Sequence, residues 1–303
     1  MNEQNLVRAG QRRLALRGTL ALMFGGGLLL LTTSGKATEL FDSWRAPQVA
    51  EAQDSTQITQ LLAKVRGLDP TICQLVRRSL DNRFGNWYGG GYLHDPAGVG
   101  AEELLADWNQ RSAVVRPGVL PVLRRSLSDA DACVRYTSAQ LLGRAEVGDL
   151  SAELRSELGS TSAATREAAL LALGYHDKPT GVDPARRALR DGDLSVRIAA
   201  AWALGSIEHR DAISALAEQA ADPDVRMRRT VAWALGTIED RSAIATLSRM
   251  LTDAEASVRI QAAHALGQIE DAEAIPALVR LLETDRDPKV RRAAASALGQ
   301  ISG

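Results

Sequence analysis

From about Val119 onward the apolar positions fall into paired helical stripes, and the pair returns roughly every 31 residues. Ile244, Leu247 and Leu251 stand three and four apart, and the spacing recurs at Ile275, Leu278 and Leu282. One face of a 3.6-residue helix is thereby apolar, and this segment is helix A of the unit. Behind it comes a richer segment, Val196-Arg197-Ile198-Ala199-Ala200-Ala201-Trp202-Ala203-Leu204-Gly205, where Ala and Leu favour helix and the glycine is expected to end it. This helix B is predicted to start on a capping side chain three residues before its Val column, at Asp131, Ser162, Asp193, Asp224, Glu255 and Asp287. Each unit is a helical hairpin.

The register of the units is written in columns. Glycines stand at Gly143, Gly174, Gly205, Gly236, Gly267 and Gly299, separated by 31, 31, 31, 31 and 32 residues. Eight residues earlier runs the column Arg135, Arg166, Arg197, Arg228, Arg259 and Arg291, and six further back Asp129, Ser160, Asp191, Asp222, Asp253 and Asp285. One hairpin cannot bury its stripes alone, so neighbours must stack over a continuous core. Alanines such as Ala200, Ala203, Ala262 and Ala265 let the helices approach closely. The predicted fold is all-α, an α-solenoid of six repeats over residues 116–303.

The pattern D-x-x-x-x-V-R-x-x-A-A-x-A-L-G-x-I, in six in-phase copies, resembles the HEAT-repeat family, in particular the short repeats also seen in phycobilin lyases. The resemblance implies a superhelix whose Asp and Arg columns form a structural ladder between repeats. It assigns that role to Asp129 and Arg135, Asp191 and Arg197, Asp222 and Arg228, Asp253 and Arg259, and Asp285 and Arg291. Ser160, opposite Arg166, breaks the ladder, while Thr165 and Met227 depart from the Val column. The second repeat is therefore expected to be the loosest joint.

Composition changes this picture little: 45% apolar with only 4% aromatic residues suits a core of Leu, Ala, Val and Ile. Residues 1–37 read as an export signal, with Arg8, Arg12, Arg13 and Arg17 ahead of the apolar stretch Leu20 to Leu31, and small residues Gly35 and Ala37 at a cleavage site. The alternative is an uncut N-terminal anchor, against which Gly25, Gly26 and Gly27 make the segment weakly apolar. Either reading puts the body outside the cytoplasm, periplasmic or extracellular. Five of 36 Lys/Arg and one of 37 Asp/Glu lie in that segment, leaving 31 bases against 36 acids. A mildly acidic body argues against general binding to nucleic acid or to an anionic membrane surface. Cys73 and Cys133 read as two buried side chains, with a disulfide as the alternative that export would permit.

Residues 38–115 do not keep the period, although Ile58 to Arg66 and Thr71 to Asn82 look like another helix pair; they are expected to form a divergent cap. Between them and the repeats, residues 82–100 carry Phe84, Trp87, Tyr88, Tyr92 and His94 around Gly89-Gly90-Gly91, too Gly-rich for a helix. Such a loop either binds something or folds its aromatics over the end of the stack.

One column of helix B carries the sharpest candidate chemistry: Gln140, Leu171, Trp202, Trp233, His264 and Ser296. At 100° per residue Trp202 lies about 240° from Val196, away from the unit's own core. In HEAT-like stacks helix B lines the concave face, so the resemblance places two indoles and an imidazole along a groove, with Ile198, Arg229 and Ile260 one turn earlier. Two uses are open: an apolar surface for a protein or peptide, or indoles lying flat across the neighbouring repeat.

No catalytic pattern stands out. His94, His176, His209 and His264 share no H-E-x-x-H or C-x-x-C spacing, so neither a metal nor another cofactor is expected. Deoxyhypusine hydroxylases, which are similar HEAT-type stacks, hold iron through His-Glu pairs; the chain has no His-Glu dipeptide, and His94-Asp95 and His176-Asp177 are the nearest approach. A lyase reading would need Trp202, Trp233 and His264 to line a tetrapyrrole site, in a compartment that export would remove from phycobiliproteins. The expectation is a non-enzymatic interaction scaffold, with an enzyme or small-molecule carrier as the alternative.

Overall fold

The computed structural model describes residues 20–24, 27–31, 55–69, 73, 115 and 117–302. Inside the apolar stretch of the expected export segment, β1 (Leu20–Phe24) pairs antiparallel with β2 (Gly27–Leu31), Leu20 opposite Leu31 and Phe24 opposite Gly27. Helix α1 (Ser55–Val65) precedes six hairpins. The first is α2 (Leu120–Ser126) with α3 (Ala132–Leu142). In the second, helix A is broken into α4 (Leu150–Glu153) and α5 (Arg155–Leu158) before α6 (Ala163–His176). Then follow α7 (Val182–Ala188) with α8 (Leu194–Ile207), α9 (Ile213–Glu218) with α10 (Val225–Thr237), α11 (Ile244–Met250) with α12 (Ala256–Ile269), and α13 (Ile275–Thr284) with α14 (Pro288–Ser302). The architecture is an α-solenoid. Among the described residues no helix is long and apolar enough to cross a membrane.

Each helix B begins where its cap lies. The carboxylate of Asp131 accepts from the N–H groups of Cys133 and Val134, Asp193 from Ser195, Asp224 from Arg226 and Asp287 from Lys289, while the hydroxyl of Ser162 accepts from Thr165. These bonds satisfy amides that the first turn leaves open. Glu255, one methylene longer, makes no such bond.

The glycine column does something other than end the helix. Only α3 stops at its glycine, Gly143; α6, α8, α10, α12 and α14 run past theirs. The left-handed residues that follow four of these helices are Asp177, Glu208, Glu239 and Glu270, with φ between 53° and 55°. The glycine instead admits the next repeat. A Cβ on Gly205 would stand 2.8 Å from the Cα of Ala234, and one on Gly236 2.8 Å from the Cα of Ala265, both inside contact distance. Glycine on one B helix thus interlocks with alanine on the next, and the backbones close to a distance that larger side chains would forbid.

Val196, Leu204, Val231, Leu235, Val258 and Leu266 from the B helices and Leu216, Leu247 and Leu278 from the A helices are fully buried in one continuous core. Each such side chain contributes about 1.5–3 kcal/mol, and stacked units share the core it builds. Successive B helices pack directly on one another, whereas A helices meet the next unit mainly through its 3₁₀ turn.

The first hairpin is closed by the N-terminal segment. Helix α1 buries Ile58, Leu62 and Val65 on α2 and α3. Just past its end the amide of Gly67, at φ 72°, donates to Asp131 Oδ2 at 2.7 Å. Cys73 and Cys133 are joined as a disulfide, Cα to Cα 5.8 Å, which replaces the reading of two separate buried thiols. Docking α1 beside α3 brings the two sulfurs together, a pairing that a separation of 60 residues does not announce. The expected helix Thr71 to Asn82, save Cys73, and the loop at 82–100 lie outside the described residues.

Candidate interaction face

The Arg column joins neighbouring units, and its geometry explains the spacing. Arg166 Nε and Nη2 both donate to the carboxylate of Asp191 at 2.8 Å, Arg228 to Asp253 at 2.7 and 2.9 Å, and Arg259 to Asp285 at 2.7 and 3.1 Å. Arg197 reaches Asp222 at 3.5 Å. Each carboxylate belongs to the unit after its arginine. Within a unit Nη1 donates instead to the main-chain oxygen of the Asp column, as from Arg197 to Asp191 at 3.1 Å and from Arg228 to Asp222 at 2.9 Å. The same carboxylates accept an amide two residues on, Asp193 N to Asp191 and Glu255 N to Asp253, so one Asp orders its own loop and ties it to the unit before. Hydrogen bonds from Arg259 hold Asp285 below the ordinary carboxylate range, and those from Arg166 do the same for Asp191.

This pairing moves the weak joint. By that register Ser160 stands where the carboxylate for Arg135 of the first unit would be, while Arg166 holds the Ser160 main-chain oxygen and has its carboxylate in Asp191. The missing link is therefore between the first and second repeats, where the Nε of Arg135 is buried without a partner. Other bonds span that joint: Thr165 Oγ1 to Ser128 Oγ at 3.3 Å, the Tyr136 hydroxyl, which donates to Glu167 at 3.1 Å, and Arg124, which donates to Glu153, Ser156 and Glu157 at 3.2 to 3.4 Å. Burial pushes the Glu167 carboxyl up. The ladder also gains a member that the period could not show, since Arg66 donates to Asp129 at 2.9 Å from 63 residues away.

The Trp column serves two purposes. The indole of Trp202 lies over Gly174 of the preceding unit, its Cζ3 2.5 Å from where a Cβ would stand, and meets Tyr175 edge-on with centroids 4.9 Å apart. Trp233 covers Gly205 in the same way, Cζ3 at 2.8 Å. Both indoles fill the notch that a glycine leaves. Ile198 is 2% and Trp233 8% exposed, so these two expected contacts are buried and offer a partner little surface. Trp202, Arg229, Ile260 and His264 keep part of their surface accessible on the consecutive helices α8, α10 and α12. Burial pushes the His264 imidazole down, which favours its neutral form. No group of three or more His, Cys, Asp or Glu suited to a metal ion occurs among the described residues.

Interlocked hairpins tied by an Arg–Asp ladder define the class: an α-solenoid of two-helix repeats. The HEAT-repeat family profile matches residues 151–232 and 215–299. The chain is a HEAT-repeat protein. It is similar in fold to a designed armadillo repeat protein in complex with the peptide (KR)4, at 18% identity and a TM-score of 0.41, covering 60% of this chain and 99% of that one. It is similar also to the complex of CpcE and CpcF of phycocyanin lyase from Nostoc sp. PCC7120, at 27% identity and a TM-score of 0.43, covering 61% and 77%. Human deoxyhypusine hydroxylase in complex with glycerol aligns over 88% of this chain and 99% of its own at 19% identity and a TM-score of 0.38. Comparison with curated protein sequences gives no match.

Proposed function

We propose that this HEAT-repeat protein is a non-enzymatic scaffold, exported or held by its N-terminal segment, that binds a protein or peptide along the face lined by its B helices. The observation that carries the reading is the accessible row Trp202, Arg229, Ile260 and His264 on three stacked helices. It joins aromatic and aliphatic surface to the Arg229 guanidinium, which meets no carboxylate among the described residues, so the fitting partner is an apolar segment carrying a carboxylate. The closer stacking of B helices supports this face being the inner side of the curve. The Cys73–Cys133 disulfide supports a compartment outside the reducing cytosol.

The test is capture from the envelope fraction of the source cell with the mature protein as bait, followed by identification of what is bound. Arg229→Glu combined with Ile260→Asp should lose the captured partner while the melting temperature stays within a few degrees. Unchanged capture would remove this face from consideration. Export is read separately, from the mass of the N-terminus and the state of the two cysteines in cells: a full-length cytoplasmic chain with free thiols would overturn it.

A further inference from the structure

Helix A of the second unit is broken into α4 and α5, and between it and α7 opens a cleft of about 540 Å³, within the range of small-molecule sites. Leu158, Pro184 and Ala188, each part-exposed, form an apolar strip along it, and the fully buried Leu170 and Val196 close its floor. The corresponding cleft between the fifth and sixth units, three periods on, is smaller, about 400 Å³. Gly159 stands here in the place of Thr252 and Ala188 in that of Leu281, which leaves more room, and Arg155 in that of Ser248, which adds a cation to the wall.

Arg155 and Arg187 are both exposed in this cleft. The ion pairs around it join Arg166 to Asp191, Arg186 to Asp183 and Arg190 to Glu218, and among the described residues no carboxylate meets Arg155 or Arg187. The two aspartates of the lining are already engaged, Asp191 by Arg166, and Asp149 by the Ser151 hydroxyl and the Ala152 amide. We propose that the cleft binds a small amphipathic acid, its carboxylate on Arg155 and Arg187 and its hydrocarbon part on Leu158, Pro184 and Ala188. A guanidinium meets a carboxylate through parallel N–H bonds, and two of them beside apolar surface select an anion with an apolar body over a bare anion or a neutral lipid. The cleft lies among A helices, whereas Trp202, Arg229, Ile260 and His264 stand on B helices, so the two sites hold or fail separately.

The probe is decanoate, kept below its micelle concentration and titrated into the purified full chain in a calorimeter. Saturable binding at a single site is expected, and decan-1-ol, of the same length without the charge, should not bind. Arg155→Gln together with Arg187→Gln should weaken decanoate binding roughly tenfold or more. Gly159→Leu keeps both cations and adds a side chain where a Cβ meets only ordinary contacts, at 3.5 and 3.8 Å, so it should block the site with the melting temperature unchanged. Arg229→Glu with Ile260→Asp should leave the isotherm as it is. No saturation, equal binding of the alcohol, or an isotherm indifferent to the changes at Arg155, Arg187 and Gly159 overturns the proposal. Loss of binding in the Arg229→Glu, Ile260→Asp protein would assign the acid to the other face, and capture by phosphatidylglycerol vesicles that requires Arg155 and Arg187 would make the cleft a membrane contact; either result also overturns it.

Discussion

Arg228 belongs to two repeats at once: its Nη1 holds the main-chain oxygens of Asp222 and Pro223, while Nε and Nη2 grip the carboxylate of Asp253 in the unit that follows. With side chains only 15% and 10% exposed, this pair is shielded more than an ordinary surface ion pair. Arg228→Met deletes both sets of bonds and strands a carboxylate, and should cost about 3 kcal/mol. Asp253→Asn keeps an oxygen for the Glu255 amide and should cost about half as much. Urea midpoints followed by circular dichroism give both values. Equal losses would mean that the bonds inside the loop contribute nothing.

The first joint makes the converse prediction, because with Ser160 in the ladder position the Nε of Arg135 is buried without a hydrogen-bond partner. Ser160 Oγ already accepts the Ser162 amide as the aspartates do elsewhere, so an aspartate there fits the local loop. Ser160→Asp is expected to stabilise the protein by about 1 kcal/mol. A lower urea midpoint in that variant would show that the first two units meet in a register that the ladder cannot span.

Gly205 and Gly299 occupy one column and should respond to alanine with opposite signs. Both lie inside helices, where alanine is favoured by about 1 kcal/mol. At Gly205 the new methyl would meet Ala234 and Trp233 at 2.8 Å, and the helices must part at a cost of about 1–3 kcal/mol beyond that gain. At Gly299 nothing stands in the way, and the gain should appear as a higher melting temperature. A rise at both sites would return the column to a local role in each helix.

That column also shows how much of the molecule the chain makes legible. The period, the hairpins and five of the six helix caps follow from local chemistry, since Asp, Ser and Ala act within a turn or two of themselves. Where glycine meets its neighbour is a fact about two units, and the sequence shows only one at a time. Hence the glycines were expected to end helices that in fact end on Glu208, Glu239 and Glu270 in the left-handed region. The same blindness placed Ser160 against the arginine of its own repeat, hid Arg66 from the ladder, and offered a partner Trp233 and Ile198, both of which are buried. Of the candidate face, the column of large side chains was visible and its exposure was not.

His264 gives the face a dependence on pH whose direction follows from burial. Its pKa is lowered in the folded chain, so the folded state favours the neutral ring. Stability from this source is complete above the ordinary histidine value of about 6.5 and is lost as pH falls through that value toward the folded one. His176, lowered chiefly by burial, adds to the same window. Glu167 works the other way: its carboxyl is raised by burial, and protonation relieves that penalty as the pH drops through the raised value. The ladder carboxylates such as Asp285, lowered by Arg259, act later, their contribution present above about 3.9 and lost below it. Urea midpoints should therefore fall gently between about pH 7 and pH 5 and steeply under pH 4. His264→Gln should flatten the gentle phase and leave the steep one in place. Parallel curves for the two proteins across the upper window would show that the ring is solvated in the folded state.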